Sequence, residues 1–161
     1  MESIIFRMIA AVLLVLGAGV AAAQTAPQPV LEMESLEVVS GETRHEFMVE
    51  IADDPVEVAT GMMGRESMAD DVGMLFDLGG VREASFWMKD VLIPLDMVFI
   101  DESGQVVAIA ENAVPGSVRR INPGVPVRGV LELRGGLSAE LALAPGDQVR
   151  HRLFEGEESA G

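Results

Sequence analysis

The chain of 161 residues contains no cysteine, and this absence excludes several classes of protein at once. Without thiols there are no disulfides, no thiol nucleophile and no thiolate metal site. A lipid-anchored lipoprotein is excluded as well, because thioether lipidation needs a cysteine at the mature N-terminus. Aromatic residues make up 4%, with a single tryptophan, and the two histidines, His45 and His151, lie far apart among strand-like residues. Neither histidine offers metal-site spacing. Basic residues are also scarce: 11 Lys and Arg stand against 26 Asp and Glu, a net charge of −15. Such a charge repels phosphate backbones and anionic lipid surfaces, so neither nucleic acid nor a membrane surface is an expected partner. Enzyme signatures are missing too. Ser67 and Ser85 lack a nucleophile-elbow setting, Gly79-Gly80 and Gly135-Gly136 read as turns rather than phosphate loops, and Asp53-Asp54 and Asp70-Asp71 do not form a calcium loop. No cofactor is expected.

The chain has one long uncharged run. Met8 to Val20 follows Arg7 and leads into Ala21-Ala22-Ala23 before Gln24. The run is short for a bilayer span, and small residues at Ala21 and Ala23 suit a signal peptidase. Residues 1–23 are therefore expected to be a signal peptide cleaved after Ala23, leaving a periplasmic or secreted protein. Glu2 offsets Arg7, which keeps an uncleaved anchor as the alternative.

The remainder reads as a polar, proline-bearing linker (residues 24–35), one β-rich domain (36–154) and an acidic disordered tail (155–161). There is no internal repeat. Alternation marks strands at Leu36–Val39, Arg44–Ala52, Met74–Leu78, Ala84–Met88, Leu95–Ile100, Gln105–Ala110, Gly129–Leu133 and Gln148–Phe154. Asp54, Pro55 and Glu57 read as a capped helix start running to about Met63, and Ser138–Leu143 as a second short helix. The fold class expected is mainly β (α+β): a compact barrel- or sandwich-like sheet of about eight short strands with one or two short helices.

Charged residues inside apolar strands are the informative misfits. Asp96 shares a face with Val98 and Ile100, and Glu132 shares one with Val130 and Arg134. A buried carboxylate must find a cation or hydrogen bonds. In Ser85–Asp90 the only tryptophan, Trp87, falls on the same side as Lys89, where indole and ammonium would grip an anionic or sugar-like ligand, or where the lysine would lie along the indole and pair with Asp96 or Glu132. Methionines crowd residues 62–97: Met62, Met63, Met68, Met74, Met88 and Met97. Thioethers bind Cu(I), and equally they fill irregular core gaps.

The segments Gly61-Met62-Met63-Gly64-Arg65, Gly73-Met74-Leu75-Phe76, Ser85 to Asp101 with its FWMK and LDM blocks, and Val130-Leu131-Glu132-Leu133 together resemble the family called domain of unknown function 192. The resemblance spans roughly Leu36 to Val149. It implies a small β-rich fold, often exported, and no particular reaction. The residues matching the family pattern are Met63, Arg65, Trp87, Met88, Lys89, Asp96 and Glu132, and these form the candidate ligand-binding set. Met62 stands where leucine is usual, and Asp90-Val91 replaces asparagine-threonine, removing an amide and a hydroxyl.

The function expected is binding of a small polar or anionic ligand by Arg65, Trp87 and Lys89, with Asp96 and Glu132 fixing the basic groups. The alternatives are an envelope glycan hydrolase using Asp96 and Glu132 as a carboxylate pair, and methionine-based Cu(I) handling.

Overall fold

The computed structural model describes residues 25–155; the expected signal peptide and nearly all of the acidic tail lie outside the described residues. Seven strands form one sheet: β1 (Met33–Ser40), β2 (Thr43–Ala52), β3 (Val72–Arg82), β4 (Leu95–Ile100), β5 (Val106–Ala113), β6 (Val127–Arg134) and β7 (Gln148–Arg150). Their spatial order is β5-β4-β6-β3-β2-β1-β7. All neighbours are antiparallel except β2 and β3, which run parallel and are joined through helix α1 (Pro55–Thr60). The sheet curls until its edges meet at one end, where Gln105 bridges Gln148 and Val149 N–H donates to Gly104 C=O at 2.7 Å. A second short helix, α2 (Leu137–Glu140), follows β6.

Strand alternation sorts the apolar residues into two cores. Leu36, Val49, Leu75, Val98 and Leu131 face the interior of the curl. Met74, Phe76, Met97, Phe99 and Val130 face outward, yet they are buried too, because Met62, Ala84, Met88 and Val91 lie over them. The central strand β4 is accordingly buried along its whole length, as an apolar run on both faces requires.

Helix α1 starts as its sequence dictates. Asp54 accepts from Val56 N–H at 2.7 Å, and Glu57 reaches back to Asp54 N–H at 3.2 Å, a reciprocal cap. It stops at Gly61, short of the expected Met63. Gly61 has φ 46°, and any side chain there would press on the Phe76 ring at 3.1 Å.

The expected strand at Ala84–Met88 does not form. Only Phe86 pairs, in a single two-bond bridge with Ile121. Its alternating pattern arises because the segment crosses the outer sheet face as a cover, burying Ala84 and Met88. The last strand ends at Arg150 rather than Phe154. The chain turns there and inserts Phe154 at the barrel end beside Gly129, where a β-carbon would meet its ring at 3.1 Å.

Candidate functional site

The cover over the outer sheet face is incomplete. Between α1 with its following turn and the segment Arg82–Val91 lies a cleft of about 580 Å³. Its walls include Met62, Met63, Phe86 and Trp87, its deep end Phe76 and Glu132. Phe86 stands edge-on to both Phe76 (centroids 5.2 Å apart) and Phe99 (6.3 Å), which fixes the aromatic wall.

Glu132 is the chemical oddity of this cleft. It sits mid-strand on β6, in register with Met74 of β3 and Met97 of β4, so its flanking neighbours on that face are thioethers. The residue is 4% exposed, and its Oε2 is buried with no hydrogen-bond partner among the described residues. Burial pushes the carboxyl up to about 8, so it is chiefly a neutral acid at pH 7.

Trp87 lies half-buried at the rim with two cations on its ring. The Arg120 guanidinium carbon is 4.5 Å from the ring centroid and Lys89 Nζ is 5.6 Å away. Arg120 and Arg82 line the cleft, as do Asp53, Asp77 and Glu83. Asp77 is engaged with Arg128 and with Gly79 N–H; burial opposes its ionisation, but these bonds outweigh burial and hold the carboxyl below its usual range.

Arg65 faces a different carboxylate from those expected. Its guanidinium holds Glu50 of β2 through two bonds, of 3.0 and 2.8 Å, in a largely buried pair. Glu50 also accepts Leu31 N–H at 2.8 Å, and Arg65 reaches Pro29 C=O at 3.4 Å. The pair thus pins the stretch before β1, which read as a linker, onto the domain. Gln28 adds a bond to Gly61 C=O at 3.0 Å. Gly64 (φ 72°) permits this contact, since a β-carbon there would stand 2.3 Å from Thr25 C=O. Arg65 therefore braces the Gly61–Met63 wall of the cleft and does not line it.

Asp96 is on the other side of the sheet. β4 and β6 pair with Asp96 opposite Leu133 and Met97 opposite Glu132, so the two carboxyl groups point to opposite faces. Asp96 is completely buried and accepts backbone N–H from Asn112 (2.8 Å), Gly136 (2.9 Å) and Ser138 (2.8 Å). It ties β5 and the α2 turn to the barrel end. The carboxylate pair that glycan cleavage would need is not assembled, and Lys89 pairs with neither acid.

Of the expected residues, the structure brings Met63, Trp87 and Glu132 to one cleft, with Lys89 exposed at its edge on the indole. Met88 is fully buried beneath it, and Arg65 and Asp96 are scaffold. Met62 and Met63 are the methionines that reach the cleft; Met74, Met88 and Met97 are fully buried core. Sequence reasoning missed Arg120, Arg82 and Glu50. Glu50 alternates with Met48 and Ala52 on a face that reads as solvated. The first two sit in loop-like sequence, which carried no signal of their place beside the cleft.

The profile of the family described as an uncharacterised conserved family, domain of unknown function 192, matches residues 36–151. The chain belongs to this family. Two solved structures share the fold. A protein from Sinorhizobium meliloti 1021, provisionally described as a transcription regulator, is 38% identical with a TM-score of 0.76, over 78% of this chain and 98% of its own. A protein of unknown function from Novosphingobium aromaticivorans is 38% identical with a TM-score of 0.74, over 81% and 94% respectively. Among curated proteins, none matches the chain.

Proposed function

We propose that this member of the family is an exported binding protein that holds one small polar organic ligand in the cleft between Met62–Met63 and Trp87, with the Glu132 carboxyl as its deep contact. The observation that carries this reading is Glu132 itself. A buried acid with an unpartnered oxygen carries a desolvation cost of one to several kcal/mol, and here it lies at the end of an open apolar cleft that a ligand can enter. The cleft volume falls in the range that takes a drug-sized molecule. As a neutral acid Glu132 donates one hydrogen bond and accepts others, so it recognises a carbonyl, hydroxyl or ether group. The charge of −15 supports a small molecule over a nucleic acid, whatever the description of the Sinorhizobium relative.

The test is fragment screening by chemical-shift mapping on the purified protein. Binders should shift the Trp87 indole and the amides of Met62 and Glu132 together, and Glu132→Leu should abolish the effect of those carrying a polar group. A screen whose binders never touch these signals would reject the reading.

A further inference from the structure

Among the described residues, cations divide into two groups. Arg44, Arg65, Arg128, Arg134, Arg150 and Arg152 each hold a carboxylate. Arg82, Lys89, Arg119 and Arg120 hold none within salt-bridge distance; Arg82 and Arg120 line the cleft, Lys89 and Arg120 lie on the Trp87 ring, and Arg119 lines a neighbouring pocket. In a chain with 26 acids, cations left without carboxylates should be scattered if chance placed them. That three of the four, Arg82, Lys89 and Arg120, line the cleft or lie on its Trp87 wall is the second observation, independent of Glu132.

Resting on the binding reading above, we infer that the ligand is an amphipathic organic anion bound with its charge outward. Its acidic group, a carboxylate or a phosphate monoester, meets Arg120 and Arg82 at the rim. Its apolar body lies along Met62, Phe86 and Trp87, and an uncharged acceptor at its inner end meets Glu132. The polarity of the cleft fixes this orientation. An anion at the deep end would be stripped of water among Met62, Phe76 and a carboxyl, with no cation to compensate it. At the rim it stays partly hydrated and finds the Arg120 guanidinium already held over the indole at 4.5 Å, a planar donor set suited to carboxylate or phosphate oxygens. Asp53 and Glu83 also stand at the rim. They limit the affinity for a bare inorganic anion, so the apolar body must contribute much of the binding.

The experiment is a titration of the purified protein, at low salt and to millimolar concentration, with phenylpropyl and hexyl compounds carrying a carboxylate, a phosphate, an amine or a hydroxyl. Trp87 fluorescence and amide shifts are the readouts. The acids should bind at least tenfold more tightly than the matched amines and alcohols. Arg120→Ala should erase that preference, and added salt should weaken only the acids. Comparison of the carboxylate and phosphate arms assigns the acidic group. Amines or alcohols binding as well as the acids would overturn the anion class and leave the cleft reading standing. Silence from all members of both series would overturn both.

Discussion

Glu50 and Glu132 lie on the same face of the sheet in one row, two strands apart with Met74 between them, and only Glu50 has a cation. The same burial is thus resolved in two ways. Arg65 and Leu31 N–H complete Glu50, whereas Glu132 is left protonated beside an open cleft. The first carboxylate belongs to the scaffold and the second to the candidate site.

Glu132 should make stability pH-dependent in a recognisable direction. Its folded value of about 8 lies above the ordinary 4.5, so the native state holds the proton more tightly than the unfolded chain. That stabilisation is complete below the unfolded value and is lost as pH rises through the folded one. Thermal melts of the native protein and Glu132→Gln should therefore diverge between about pH 4.5 and 8, with the variant gaining relative stability as pH rises. Parallel curves would show that Glu132 ionises normally.

Removal of Arg65 should destabilise the fold, by about 3–5 kcal/mol for Arg65→Ala, because Glu50 is left charged and buried. Adding Glu50→Gln should recover part of the loss. Denaturant melts of the single and double variants measure it, and a loss below about 1 kcal/mol would mean the pair is solvated.

Lys89→Ala should cost less than about 1 kcal/mol, since the exposed ammonium contributes only a cation–π contact to Trp87. Asp96→Asn should cost roughly 2–4 kcal/mol by weakening three charge-assisted backbone bonds. Chemical melts that reversed this order would place Asp96 outside the scaffold.

Particular residues show what the sequence could reveal. The reciprocal cap at Asp54 and Glu57, the strand at Leu95–Ile100 and the depth of Glu132 were legible because each depends on neighbours within a few positions. The side of the sheet taken by Asp96 relative to Glu132 was not, since it depends on the register between β4 and β6. Arg65 was legible as an important residue but not as a brace, because its partner Glu50 arrives through the parallel β2–β3 pairing and the stretch from Thr25 to Leu31. The two-sided burial of the sheet turned Ala84–Met88 from an expected strand into a cover.

Export is a separate expectation. Intact-mass analysis of the envelope fraction should find a soluble chain beginning at Gln24; a membrane-bound chain retaining Met1 would show an anchor instead.

Carboxyl-carbon NMR titration of Glu132, assigned by comparison with Glu132→Gln, tests the account most directly. The expected midpoint is about 8, with the signal of a neutral acid at pH 7. A midpoint near 4.5 would mean that water or a cation already satisfies Glu132, which would contradict its role as the deep contact of a ligand site.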